Sequence, residues 1–235
     1  DPEQKELIAY ADEIIANAAI PNVAEQLLPE EHGHGLKQQY AGLAPGASLL
    51  TLYLGFSKNL KEHGSRHYST FLFDDSITTQ AEIKSNNQGA FEDRSFTFID
   101  YSHVDSALCP PGKSVGAVCC IDYPGYWEDL SPDEYKKEKE RVAKIFIERL
   151  ETLVPGISEM VEHYEVGTSL TVGRYTLNPE GAVYGFAQTP VRVTRKPLTS
   201  LENLHFASAW TNTGGGFSGA IYSGYLCAKR VESRE

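Results

Sequence analysis

Positive charge is scarce in this chain: 21 Lys and Arg stand against 32 Asp and Glu, a formal net charge of −11 over 235 residues. Tracking along nucleic-acid phosphates rests on clustered cations that displace counterions, and no basic stripe occurs, so that class of function is excluded. An apolar run near the roughly 18 residues of a spanning helix is also missing, as are a signal peptide and an N-x-S/T sequon. Cysteine is sparse. Cys109, Cys119, Cys120 and Cys227 include one adjacent pair and no C-x-x-C, a spacing that suits neither a disulfide framework nor a zinc site. It predicts small apolar thiols in a reducing, cytoplasmic setting. Met160 is the only methionine, and a chain that opens "DPEQKELIAY" is expected to have been cut from something longer.

What is present is globular. Apolar residues make up 41% and aromatics 11%, with 13 Tyr and 10 Phe, and a globule of this length hides roughly 70% of the surface its unfolded chain exposes. Strand signals are expected around 7–10 and 13–16, followed by a helix-like run from Pro21 to Leu28 that stops at Pro29. The stretch "EEHGHGLKQQYAGLAPGA" then reads as a polar loop. Runs rich in Leu, Tyr, Thr and Phe at 48–54 and 66–73, with "RSFTFIDYS" and "KSVGAVCCIDY", predict four or more strands without intervening helices. That pattern implies an α+β fold with a largely antiparallel sheet.

The clearest helix begins at Pro132 and runs to about Val154. Ser131 caps it and Glu134 completes a reciprocal capping box. Val142, Ile145, Phe146, Leu150 and Leu153 recur at helical spacing, so this helix buries one face. Later, Pro179-Glu180-Gly181 forms a turn signal flanked by β-type residues. "NLHFASA" is a strand signal that leads directly into "WTNTGGGFSGA" and a final helix, so the closing unit is strand, Gly-rich turn, helix.

Backbone N–H groups at a helix start make a ready site for anions or polar oxygens, and glycine lets a ligand come close. Several familiar uses of that geometry fail here. A nucleotide-triphosphate loop needs Lys and Ser/Thr after its last Gly, where Phe217 stands. The nucleophile elbow G-x-S-x-G has Ala220 at its last position, and Ser218 is more simply a first-turn capping group. The dinucleotide fingerprint lacks the strand and acidic residue that should follow it. The alternative is packing: Ala220, Gly224 and Ala228 form a small-residue stripe on which another element could lie. His205 beside the loop reads as a satisfied core or edge residue. His32 and His34 read as members of a polar loop, with no metal site assigned.

The same residues resemble a known family. "NLHFASAWTNTGGGFSGAIYSGYLCAK" is similar to the C-terminal flavin-contacting segment of the FAD-dependent phytoene desaturase, carotenoid isomerase and retinol saturase family. "NPEGAVYGFAQTPVR" resembles its turn-strand motif, and "ADEIIANAAIPNVAEQLLP" its mid-chain strand and helix. "DSALCPPGKSVGAVCCIDY" and "SPDEYKKEKERVAKIFIERLETLVPGI" follow in matching order, so the resemblance spans essentially the whole chain.

The resemblance implies a segment of the FAD-binding domain at 1–30, a substrate-binding domain at 31–200 and a C-terminal FAD-binding segment at 201–235. That last segment would complete a Rossmann-type domain otherwise missing here. It implies FAD, with Ala209, Trp210, Thr211, Gly214, Gly215, Gly216, Phe217 and Ser218 bordering the flavin. Ser208 and Ala209 stand where related amine oxidases place an acidic residue. The substrate would be an elongated apolar polyene, with "FTFIDY" and "HYSTFLF" as candidate tunnel walls; no catalytic acid or base is named. Peripheral membrane contact, self-association through exposed apolar surface and weak FAD binding by this chain alone are further expectations. Two readings from other classes stand beside it: a non-catalytic apolar-ligand module, and an interaction domain that uses the small-residue stripe.

Overall fold

The computed structural model describes residues 8–104, 107–189 and 201–233. It divides the chain into two compact units, one built from 1–46 and 184–235, the other from 47–183. The breaks thus fall later than residue 30 and earlier than residue 200.

The second unit is a five-stranded sheet in the order β3-β4-β5-β2-β6, every neighbouring pair antiparallel. Its strands are β2 (Ser48–Phe56), β3 (Ser69–Leu72), β4 (Phe96–Asp100), β5 (Ser114–Asp122) and β6 (Val161–Gly167). Residues alternate faces along a strand, and β2 shows it: Leu50, Leu52, Leu54 and Phe56 are buried while Leu49, Thr51, Tyr53 and Gly55 lie on the other side. The buried face meets the long helix Pro132–Leu150 through Val142, Ala143, Phe146 and Leu150. Ser131 caps that helix, with Glu134 bonded back to the Ser131 amide at 2.9 Å.

A polar knot fixes one end of this core. Asp122, fully buried at the end of β5, accepts from Trp127 Nε1 at 2.9 Å and from the Ser169 amide at 2.9 Å, with Arg94 3.7 Å away. Arg94 in turn lies over the Phe91 ring and donates to Gly89 O. Burial of a charge is tolerated when its lone pairs are filled in this way.

Two elements differ from the expectation. The β-type residues before the Pro179 turn form a helix, Ser169–Thr176, because Thr168 and Thr171 make a reciprocal cap. The described residues after the turn, 182–189, carry an isolated bridge of the first unit, Pro45 to Phe186, rather than a strand, and the remainder of that run, 190–193, lies outside the described residues. The sheet also gains β6 and the unit gains a short helix, Gln80–Asn86.

The first unit contains a parallel pair, β1 (Ile14–Ala16) with β7 (Leu204–Phe206). The strand signal at 7–10 is irregular over 8–10, and Leu7 lies outside the described residues. The helix-like run at 21–28 is a short helical turn, Ile20–Asn22, followed by a π-turn, Val23–Leu27. The stretch read as a polar loop is a helix, Glu30–Tyr40. Gly33 earns its place there: a Cβ would stand 2.2 Å from Ala24 O, so glycine is what lets this helix close onto the preceding turn. Tyr40 then stacks on Phe186 at 5.1 Å, and Phe186 meets the edge of Trp210 at 4.9 Å.

Candidate functional site

β7 runs into the glycine loop, and the final helix, Gly216–Glu232, starts from it. The loop is pinned to its own helix. Thr211 Oγ1 lies 2.7 Å from Ser223 Oγ and donates to Ser208 O at 3.0 Å, the Ser208 amide donates to Ser223 Oγ at 3.2 Å, and Thr213 Oγ1 donates to Gly219 O at 2.9 Å. A crevice of about 20 Å³ between this network and Arg230 is water-sized.

Of the eight residues singled out in the sequence, Trp210, Thr211 and Gly214 are buried, Ala209, Gly215 and Gly216 are half-buried, and Phe217 and Ser218 are exposed. Phe217 is 91% exposed. Trp210 and Thr211 therefore face the interior of the unit, and the outward part of the loop is its end, at 216–218. There Gly215 is the N-cap and supplies no side-chain acceptor, so Ser218 does not cap the helix, contrary to expectation. The first-turn amides are open to an acceptor from outside, and the helix dipole favours one that carries negative charge.

Two residues absent from the sequence reading shape this loop. Tyr184 lies so close to Gly215 that a Cβ there would stand 2.5 Å from Tyr184 Cβ, and Gln188 crowds Gly214 in the same way, at 2.6 Å from Nε2. At Gly215 the glycine is thus required by the base of the Tyr184 side chain, whereas at Gly214 the crowding comes from the flexible end of Gln188 and the φ of +67° is the stronger reason. Gly216 differs: a Cβ would meet nothing within 4 Å, and its φ of +76° supplies the reason for glycine. The stripe Ala220, Gly224, Ala228 is not the packing face within this unit. Ser223 and Cys227 are the buried helix residues, while a Cβ at Gly224 would meet open space.

The three histidines singled out in the sequence are accounted for by neighbours. His205 Nε2 lies 2.6 Å from Glu13 Oε2 across the β1–β7 pair, His34 meets Gln38 at 3.0 Å and His32 stands 3.8 Å from Glu31. Among the described residues no group of three or more His, Cys, Asp or Glu could hold a metal ion. A Ser–Asp–His grouping does occur in the second unit, but it lacks the order a nucleophile needs. Ser65 Oγ gives its proton to buried Asp100 at 2.5 Å, while the same nitrogen of His103 sits 3.4 Å from Ser65 and 3.6 Å from Asp100. A relay would place the imidazole between the other two, with each ring nitrogen serving one of them.

All four cysteines are free, two of them buried. Adjacent Cys119 and Cys120 point to opposite faces of β5; burial pushes the Cys120 thiol up to about 12 and raises Cys119 as well. Cys119 belongs to the open face of the sheet. Along that face Tyr53 stands opposite Ala117, which stands opposite Ile99, and a cavity of ≈440 Å³ lies over Tyr53, Gly55, Val115 and Ala117. Half-exposed Tyr101 and exposed Leu108 border it.

The parallel strand–glycine turn–helix and the antiparallel sheet unit together define a class. The chain belongs to the family of flavin containing amine oxidoreductases, which matches residues 3–232. Its relatives include an all-trans-retinol 13,14-reductase from Danio rerio, 23% identical over 98% of this chain and 41% of that protein. A chloroplastic prolycopene isomerase from Arabidopsis thaliana is 33% identical over 54% of this chain and 22% of that protein. The corresponding isomerase from Daucus carota is 27% identical over 94% of this chain and 35% of that protein. The chain therefore spans less than half the length of these relatives. A solved structure, cyclohexylamine oxidase from Brevibacterium oxydans, shares the fold with a TM-score of 0.52 at 14% identity, over 94% of this chain and 43% of that one. The relatives are those that the sequence resemblance implied, and the fold agrees with it in being α+β with a mostly antiparallel sheet.

The family implies a flavin, and the loop can be tested against it. An uncapped helix N-terminus beside a glycine with free space over its Cα accommodates one edge of a flat, electron-rich ring. The residues present fit that edge. Among the described residues no helix is long and apolar enough to cross a membrane.

Proposed function

We propose that this chain is the substrate-side portion of an FAD-dependent enzyme that acts on a carotenoid- or retinoid-like polyene, by saturation, desaturation or cis–trans isomerisation. The observation that carries the proposal is the uncapped start of the final helix at 215–218, in a chain aligned over 98% of its length with a retinol reductase. In this reading β1 and β7 are two strands of a larger parallel sheet. Support comes from Ile14 and Ile15, each about half exposed on a two-stranded parallel pair, an element that does not stand alone in water.

The residues divide the work. The amides of Phe217 and Ser218 hold the electron-rich edge of the ring, and Gly214, Gly215 and Gly216 set the turn that aims them. Ala209, Trp210 and Thr211 position that turn from behind, Trp210 through its ring contact with Phe186. The flavin, when bound, supplies hydride or electron-pair chemistry that the side chains lack. The substrate lies along the open face of the β3-β4-β5-β2-β6 sheet, where Tyr53, Ile99, Val115 and Ala117 exclude water. An apolar substrate of this kind makes peripheral membrane contact part of the same proposal.

The test is the visible absorption spectrum of the natural gene product as purified, for wild type and Phe217→Pro. Proline is tolerated in a first helical turn but removes one N–H. The variant should fold with an unchanged melting temperature and bind FAD roughly tenfold more weakly or worse, as loss of one hydrogen bond to a charged group predicts. Absence of flavin from the wild type, even after FAD is added, would reject the proposal in favour of a non-catalytic apolar-ligand module.

A further inference from the structure

We propose that His163 and Glu165 form a polar end-stop on the open sheet face and select a polyene that ends in a hydroxyl group. The inference rests on the placement of substrate on that face. Both residues lie on β6, two apart, and so share a face. The register puts Glu165 opposite Tyr53 and His163 opposite Gly55, and both border the ≈440 Å³ cavity.

Between its edges that row is mostly apolar, the Tyr53 hydroxyl excepted. From Glu165 the cross-strand neighbours are Tyr53, Ala117 and Ile99, and three inter-strand steps cover about 14 Å at the usual spacing. From His163 the neighbours are Gly55 and Val115. Gly55 leaves the path beside His163 free of a side chain, and a Cβ there would already stand 3.7 Å from His163 Cβ. The floor between is mostly apolar; Glu165 and His163 bound it at β6, and at the far edge Ser69 stands opposite Ile99.

The β6 end is available. Both side chains are exposed, and neither has a hydrogen bond or ion pair among the described residues. By contrast Glu162, next on the strand, is engaged by Lys113 at 2.6 Å. A carboxylate only accepts and an imidazole can donate, so the pair offers a hydroxyl one acceptor for its proton and one donor for its oxygen. A hydrocarbon end would leave both polar groups to be desolvated without compensation. A carboxylate end would meet Glu165 with like charge.

The experiment titrates the full chain with all-trans-retinol and with the same polyene lacking the hydroxyl, following ligand fluorescence. Wild type should bind the alcohol roughly tenfold tighter, the value of one good hydrogen bond. Glu165→Leu and His163→Leu should bring the two affinities together while hydrocarbon binding and melting temperature hold, and Glu165→Gln should restore part of the preference. A wild type that binds both equally, or a Glu165→Leu variant that keeps the preference, would overturn the inference and mark the two residues as charged guards of an edge strand. Binding of neither polyene would overturn the placement of substrate on this face, and the inference with it.

Discussion

Replacing Gly185 with alanine probes how the glycine loop is held. Gly185 has φ +77°, and a Cβ there would stand 2.3 Å from Ala209 O, 2.8 Å from Ala209 C and 2.9 Å from Trp210 Cα. All three are backbone or Cα atoms, so no flexible side chain can step aside. Gly216, at φ +76°, is the matched control because nothing lies within 4 Å of its added Cβ. The left-handed conformation costs an L-residue roughly 1–2 kcal/mol, and the stiffer unfolded chain returns about 0.4–1 kcal/mol, so Gly216→Ala should lose about 1 kcal/mol. Gly185→Ala carries the same conformational cost plus the overlap. Raising 2.3 Å to the 3.0 Å that real contacts keep requires a backbone shift that disturbs Trp210 against Phe186. Overpacking of that kind adds roughly 1–3 kcal/mol, for a total near 2–4 kcal/mol. With a urea slope of about 1–3 kcal/mol per molar, Gly185→Ala should lower the midpoint by roughly 1–2 M and Gly216→Ala by well under that. Urea unfolding followed by hydrogen exchange in peptides from 184–189 and 201–233 assigns the transition to the first unit. Equal midpoint shifts for the two variants would refute the reasoning.

Other expectations follow from the second unit and from acid. Asp122→Ala strips the acceptor from Trp127 Nε1 and the Ser169 amide and leaves Arg94 without its buried partner. It should cost about 3–5 kcal/mol in calorimetry, with a loss under about 1 kcal/mol counting against the knot. Hydrogen bonds hold several carboxyls below their usual range: Ser131 at Glu134, Ser158 and the Gly156 amide at Glu151, and the Thr78 and Thr79 amides at Glu82. A depressed folded value means that the unfolded chain binds more protons, so this stability is complete above about pH 5 and is lost as pH falls through the folded values. The melting temperature should be flat from about pH 7 to 5 and decline below about 4.5. A rise in melting temperature on acidification through that window would contradict it.

Much of this was legible where the physics is local. The Ser131 cap, the apolar spacing of Val142, Phe146 and Leu150, and the alternation in β2 and β5 need only neighbours in sequence. Helix Glu30–Tyr40 was hidden because Gly33 looks like a breaker until Ala24 O is seen against it. Strand β6 was hidden because it lies at the sheet edge and buries only Val166, so "VEHYEVG" carries almost no alternation. Helix Gln80–Asn86 buries nothing, and its Thr79–Glu82 capping box was the one signal on offer. At the candidate site the glycines announce themselves, whereas Tyr184, which requires Gly215, and Gln188, which lies against Gly214, reach the loop only through folding.

The second unit leaves the chain and returns at a single seam. Ala47 O accepts from the Val183 amide at 3.2 Å, and one step outward the Gly46 amide donates to Gly185 O at 2.7 Å. An insertion whose ends already touch can be exchanged for another without restraining or reopening its host. The sheet unit is thus a replaceable cassette: under the proposed function, a lineage could change its substrate by rewriting 47–183 while the glycine loop and its helix keep their sequence. In the laboratory the same seam marks where a two-residue turn could close the host, or where a sheet cut from a relative could be spliced in.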